Sequence, residues 1–366
     1  MSLLSEQSVD SWATRRQAVQ LVKLGRALAA LADGDPRIVA GSADLKYATL
    51  VAEFEDRHPD RFFQFGIAER NMFGAAAGMA TTGLIPYVAT FASFAGLLGY
   101  EAMRTDLAYP YVPVRVLATH AGISMGFFST SHHATEDISA LRSIADLMIL
   151  SPADGESAAE LVRATVDHPG PIYFRLGRGR EATVYETAPA NYRPGAPYEV
   201  RSGDDVLIAA TGIMVPNAIE AAAQLAAAGA SATVLDVHTL KPFPAAEIVE
   251  RVTSHPLTIV VEEHNTEGGL GTMVLEAVAA AGERAAVVKH GVPDEYCIIG
   301  PPNHCYAYYG LDAPGIATVV TRALSRLQAG WWTGGSRQFW SEDDRAAVLA
   351  SATDRNRIPL QLVGRG

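Results

Sequence analysis

The chain has 366 residues, 49% of them hydrophobic and 19% charged, enough for a large core and too apolar for wholesale disorder. Its 40 acidic and 29 basic residues leave a net charge of −11 with no long basic block. This argues against a nucleic-acid binder but not against a local phosphate site.

At roughly 100–200 residues per domain, the length predicts two or three domains. The polar N-terminus, Met1 to Arg16, has no signal-peptide core. Cys297 and Cys305 are too few for a disulfide framework and read as inert core thiols of a cytoplasmic protein. From Asn71 to Tyr100 no residue is charged, yet five glycines and Pro86 interrupt the run. It reads as helix, turn, buried strand and helix rather than as a membrane span.

In chain order, residues 21–32 form an apolar-periodic helix, and RIVAG (37–41) and residues 61–65 form strands. A small-residue helix follows over 67–81, then a strand at 87–90 and a helix at 96–108. VRVLAT (114–119) is a strand feeding a Gly- and Ser-rich loop, 121–131. Residues 147–150 and 172–175 are strands on either side of a helix that starts at Asp154, with Ser157 and Glu160 at capping-box spacing. Residues 181–205, rich in Pro, Tyr and charge, read as a linker. A second alternation follows: strands at 206–210, 232–237, 257–262 and 286–290, and helices at 216–228, 245–253 and 272–281. The last of these helices is entered through Gly268-Gly269-Leu270-Gly271. The expected fold is α/β, with two doubly wound, mostly parallel-sheet domains at 13–180 and 206–327. An extension, 328–366, holds Trp331, Trp332 and Trp340. Rings of that size are costly in water, so the extension packs on its own chain or on a partner.

Two loops at strand ends hold candidate chemistry. In Phe65-Gly66-Ile67-Ala68-Glu69-Arg70-Asn71, Glu69 opens an otherwise apolar helix. Taken alone, it reads as a carboxylate complementing the helix dipole. In Thr119-His120-Ala121-Gly122 through Ser131-His132-His133-Ala134-Thr135-Glu136-Asp137, three histidines stand beside flexible glycines. They fit solvated loop residues or substrate contacts. No metal-ligand spacing such as HExxH is present.

The ordered set Gly41-Ser42-Ala43-Asp44-Leu45, Phe63-Gln64-Phe65-Gly66-Ile67-Ala68-Glu69, Ala89-Thr90-Phe91-Ala92-Ser93-Phe94, the histidine loop, Ser151-Pro152-Ala153-Asp154 and Arg175-Leu176-Gly177-Arg178 resembles the transketolase family. It matches that family's pyrimidine-binding and C-terminal domains over about residues 13–327. The resemblance implies thiamine-diphosphate chemistry. Glu69 would hydrogen-bond the cofactor's aminopyrimidine and promote ionisation of the thiazolium C2, which needs a carboxyl group held out of water. Phe94, Phe91, Leu45 and Asp44 would lie at the cofactor. His120 and His132 would contact the sugar near the reacting carbon, and Arg15 and Arg178 would hold a substrate phosphate.

The family's metal-binding Gly-Asp-Gly motif does not occur here; Asp33-Gly34-Asp35 has another order. The resemblance therefore implies one half of a split enzyme. A separate N-terminal diphosphate-binding subunit would hold Mg2+ or Ca2+ and share the thiamine diphosphate, as an α2β2 heterotetramer acting on a sugar or sugar phosphate. No nucleic acid, membrane or metal site is expected on this chain. Gly74-Ala75-Ala76-Ala77-Gly78 would permit close helix contact with the partner or within the domain. Phe128 stands where the family has a hydroxyl-reading Asp, Ala48 where it has Ser, Leu97 where it has Tyr and His133 where it has Gln. Substrate recognition is thus expected to differ from that of pentose-phosphate enzymes, with Phe128 in the donor pocket. The alternatives are the β subunit of a 2-oxo-acid dehydrogenase or decarboxylase and a non-catalytic regulatory subunit. Gly66-Ile67-Ala68-Glu69 favours the transketolase side.

Overall fold

The structure, a computed structural model, describes residues 20–179, 181–189, 191–330 and 339–355. Arg15, Trp331 and Trp332, singled out above, lie outside the described residues. Among the described residues no helix is long and apolar enough to cross a membrane.

Six parallel strands build the first sheet: β1 (Ile38–Ser42), β2 (Phe62–Gln64), β3 (Ile85–Phe91), β4 (Arg115–Thr119), β5 (Met148–Leu150) and β6 (Ile172–Arg175). Their spatial order is 5-6-4-3-1-2. The runs in β1, β3, β4 and β6 are buried at every position, as strands covered on both faces must be. From β1 the chain goes to β2 on one side and then crosses to β3 on the other. The crevice where a doubly wound sheet takes its ligand therefore opens at the carboxyl ends of β1 and β3.

The second sheet has the order 12-11-8-9-7. In it β8 (Val206–Ala210), β9 (Ala232–Asp236), β11 (Thr258–Asn265) and β12 (Val287–Val292) are parallel. Alternate residues of these strands feed opposite faces. Ile208, Val234 and Ile259 pack with helices Met214–Ala227 and Ala313–Gln328, while Leu207, Leu235 and Val260 pack with Ala245–Thr253 and Leu270–Ala280. Both sheets are thus α/β and doubly wound, as expected.

Two strands depart from the sequence reading. β7 (Tyr198–Arg201) lies within the segment expected to link the halves, and it is the antiparallel edge of the second sheet. β10 (Thr239–Lys241) leaves the second half and pairs antiparallel with β5 at the edge of the first sheet. The capping box at helix Gly155–Ala164 is formed by Asp154 and Ser157, not by Ser157 and Glu160, because Asp154 is itself the extended N-cap residue. The small-residue helix starts at Glu69 rather than at Ile67. Residues 94–108 are one helical run with π-helical segments at Phe94–Leu98 and Met103–Ala108. Such widened turns are frequent beside functional sites.

The described part of the C-terminal extension packs on its own chain. Arg322 holds Asp344 through two bonds of 2.6 and 2.9 Å. Trp340 Nε1 donates to the Tyr308 carbonyl at 2.8 Å, and the Arg345 guanidinium lies over the Tyr308 and Tyr309 rings.

Candidate active site

Gly66, at φ +70°, turns the chain out of β2 into the helix Glu69–Thr81. That conformation suits glycine because it has no Cβ. The turn delivers Glu69 to the first helical position, only 7% exposed. Thr90, next to last in β3, donates its hydroxyl hydrogen to Glu69 Oε1 at 3.0 Å. This is the one hydrogen bond of the Glu69 side chain among the described residues. An open hollow of about 650 Å³ adjoins it, lined by Ala68, Glu69, Arg70, Asn71, Leu98 and Asp106. Leu98 in this lining is 66% exposed, and Ile67, next to Ala68 in the chain, is 85% exposed.

Asp44 and Leu45 leave the end of β1 beside the same crevice. Asp44 is exposed, adopts φ +61° and donates its N–H to Gln64 Oε1 at 2.7 Å. Leu45 N–H donates to Ser42 Oγ at 3.0 Å.

The histidine loop starts where β4 ends. His120 is buried at φ +59°, a left-handed conformation that a non-glycine residue enters at a cost. The Thr119 hydroxyl lies 2.9 Å from its Nδ1. The Gly122 and Ala134 backbones bond each other and close the base of the loop. Within it the expected residues converge. The Phe91 ring centroid is 4.4 Å from that of His120, and Phe91, Phe94 and Phe128 stand 6.1, 5.1 and 5.1 Å from His132. Phe128, 53% exposed, thus lies beside His132 rather than in the core.

Burial lowers the pKa of His132, so its ring is neutral at pH 7. The Ser131 hydroxyl is 3.2 Å from the Phe128 carbonyl and 2.9 Å from His132 Nδ1. A carbonyl only accepts, so Ser131 donates to it and, with its one hydrogen used, accepts a hydrogen bond from the Nδ1–H, leaving Nε2 as a proton acceptor. His133 is buried, and neither ring nitrogen has a partner among the described residues. Arg178 reaches the loop itself. It donates to the Ser124 carbonyl at 3.3 Å in a hollow of about 340 Å³ that Glu181, Asn303 and Tyr306 also line. No group of three or more metal-ligating side chains occurs among the described residues.

Behind the loop stands a buried polar network that the sequence reading missed. Arg175 Nε bonds both oxygens of Asp137, at 3.1 and 2.9 Å, and Tyr173 donates to the same carboxylate at 2.9 Å. β11 contributes Glu262, Glu263 and His264, all buried. Burial pushes the two glutamates up to about 7 and about 8 and the histidine down to about 4. Thr90 and Glu263 carried no local signal. Each partner is remote in sequence, and the strand reading stopped at Glu262.

Comparison with known proteins gives two family matches: "Transketolase, pyrimidine binding domain" over residues 21–181 and "Transketolase, C-terminal domain" over residues 196–316. A transketolase C-terminal section of Methanocaldococcus jannaschii is 34% identical over 303 residues, covering 82% of this chain and 95% of that protein. A subunit of the apulose-4-phosphate transketolase of Phocaeicola vulgatus is 33% identical over 296 residues, covering 81% of this chain and 94% of that protein. A solved "Split gene transketolase, inactive beta4 tetramer" superposes with a TM-score of 0.74 at 36% identity, covering 84% of this chain and 98% of that one.

Proposed function

Because the chain belongs to the transketolase family, we propose that it is the pyrimidine-side subunit of a two-chain enzyme that moves a two-carbon ketol unit from a ketose-type donor to an aldehyde. The carrying observation is Glu69: a buried carboxyl, one oxygen held by Thr90, at the edge of an open hollow.

Thiamine diphosphate, when bound, supplies the nucleophilic carbon for such transfers. The residues fit its aminopyrimidine. Glu69 would face a ring nitrogen, since its single protein hydrogen bond leaves capacity for a second partner. Phe91 and Phe94, with ring centroids 5.8 Å apart, supply an apolar wall for a flat ring. Asp44 and Leu45 border the crevice at the end of β1. His132, neutral with Nε2 open, can take a hydroxyl proton from a sugar, and His120 can hydrogen-bond the same region. Arg178 is the candidate for a substrate phosphate.

The diphosphate and its Mg2+ or Ca2+ are assigned to a partner subunit in an α2β2 assembly. The exposed Ile67 and Leu98 beside the hollow support a covering chain. So does the small-residue helix, where a Cβ built on Gly78 meets no atom within 4 Å and packing inside this chain does not require glycine. The test is to combine this chain with a Gly-Asp-Gly-bearing partner, thiamine diphosphate and Mg2+, and to assay ketose donors against pyruvate. Ketol transfer that needs both chains supports the reading. Turnover of pyruvate alone overturns it.

A further inference from the structure

The geometry points to Glu263 as the positioning residue of the histidine loop, through which the C-terminal half sets where His120 and His132 stand. This deepens the proposed ketol transfer and rests on it.

Successive residues of a strand face opposite sides. Glu262 serves its own half: its carboxylate accepts the N–H groups of Leu270, at 2.7 Å, and Gly271, at 3.0 Å, which open a helix. Glu263, the next residue, crosses to the first half, and its Oε1 accepts the Ile123 N–H at 2.7 Å. The same oxygen accepts the Tyr306 hydroxyl at 2.5 Å, which fixes the carboxyl from a second side. Ile123 lies between the two histidines, just past the turn at Gly122. At Gly122, φ +62°, a Cβ would fall 2.1 Å from Glu263 Cδ, so the loop backbone rests directly on the carboxyl. Further along, a Cβ on Gly126 would fall 2.4 Å from the Gly300 carbonyl oxygen and 3.0 Å from Pro302 Cδ, a second close seat on the C-terminal half. The far end of the loop is tied to the same strand, because Arg175 Nη2 donates to the carbonyls of Ala134, at 3.1 Å, and Glu263, at 2.9 Å.

The carboxyl is 1% exposed and its Oε2 has no partner among the described residues. A buried carboxyl with one unpaired oxygen is a poor packing element, and an apolar side chain of similar size would fill the space at less cost. What Glu263 provides that leucine does not is an acceptor at the loop backbone. The role is positional, because the carboxyl's hydrogen bonds go to the loop main chain and to Tyr306.

The test uses the full chain, alone and combined with its diphosphate-binding partner. Three variants are compared with wild type: Glu263→Ala, Glu263→Leu and Glu263→Gln. The first readout is amide hydrogen exchange of residues 120–134, which requires no substrate. Loss of the bond is expected to speed exchange in this loop about 10- to 100-fold in Glu263→Ala while the strands of both sheets stay protected. Glu263→Leu, which keeps the volume, carries the same expectation should the alanine variant not fold. Glu263→Gln keeps an acceptor oxygen and is expected to restore wild-type exchange. The second readout is kinetics with xylulose 5-phosphate as donor. There kcat is expected to fall roughly 100-fold in the alanine and leucine variants, with the cofactor KM within about twofold of wild type. Loop exchange equal to wild type, a glutamine variant as perturbed as leucine, or exchange raised evenly over both sheets overturns the assignment. Failure of the proposed reaction looks different: wild type turns over no ketose donor, while the exchange result stands by itself.

Discussion

Thr90 and Glu69 meet at 3.0 Å, the hydroxyl at the end of β3 and the carboxyl at the start of a helix 21 residues earlier in the chain. The contact joins the helix that follows β2 to β3, one of the two strands at the crossover point of the first sheet, and it fixes one carboxyl oxygen of an otherwise unengaged acid. Glu69→Gln keeps the shape and removes the ionisable carboxyl. Turnover in the two-chain complex is expected to fall about 100- to 10,000-fold, the range for a general acid–base group, with subunit association little changed. Thr90→Val, which removes only the donor, should cost less. Near-full activity of Glu69→Gln refutes the role.

A second expectation concerns cofactor binding by the isolated chain. Its own residues offer the pyrimidine side of a site and no Gly-Asp-Gly sequence for a metal-bound diphosphate. Calorimetric titration of the purified chain with thiamine diphosphate and Mg2+ should give no tight binding until the partner is added. Micromolar affinity without a second protein contradicts the divided site.

Phe128 sets a third. Its ring lies 5.1 Å from that of His132, and Phe127 beside it is also about half exposed, so the mouth of the site is apolar. Once a partner chain closes the mouth, a donor hydroxyl facing a phenyl ring is left unpaired, which costs roughly 1–3 kcal/mol, or about a 5- to 150-fold preference for a deoxy or methyl-bearing donor. Phe128→Asp should shift kcat/KM towards xylulose 5-phosphate and away from a deoxy analogue of the same ketose. A wild type that already prefers xylulose 5-phosphate, with a variant that only unfolds more easily, counts against this.

The buried ionisable groups of β11 predict the response of stability to pH. Glu262 and Glu263 titrate at about 7 and about 8 in the fold, against 4.5 ordinarily. The folded state therefore holds protons that the unfolded state has released, and stability falls as pH rises through this range. His264 and His290, lowered by burial to about 4 from 6.5, act in the opposite sense: their contribution is complete above 6.5 and is lost on acidification. Between about pH 4.5 and 6.5 the two effects oppose each other. From about 6.5 to 8 the glutamates act alone within this set, at up to about 1.4 kcal/mol per pH unit for each. Urea unfolding across that upper window should show declining stability, and Glu263→Gln should flatten the decline. A stability that rises from pH 6.5 to 8 would contradict the assignment.

Much of the architecture was legible because fully covered parallel strands are unbroken apolar runs. RIVAG, VRVLAT and VLIAA stand out between polar turns, and each proved to be a strand within a residue or so. Glu69 and the histidines were legible for another reason: they sit at strand ends, where charge next to glycine contrasts with the core. β10 was not legible. It is three residues, Thr239 to Lys241, with no apolar run, and only its partner β5 makes it a strand. β7 was hidden because an edge strand is half exposed and its sequence looks like the polar segment around it. The Asp154 cap was misread because Ser157 also fits the pattern of a cap residue. Glu263 went unread since only the tertiary fold brings Ile123 and Tyr306 to it.

The pairing of β10 with β5 limits where the polypeptide could be divided. A fragment ending after β6 would leave the backbone of β5 without its outer neighbour, and a fragment beginning near Tyr198 would carry an orphan strand and the Lys241 ammonium, whose hydrogen bonds go to the carbonyls of Arg142 and Ile144. Each piece would display an open sheet edge, a template for aggregation. The strand and the lysine thus tie the two family modules into one sheet. Fusions made for expression are better placed outside residues 20–355, whose last helix packs on Tyr308 and Tyr309, than at the apparent seam.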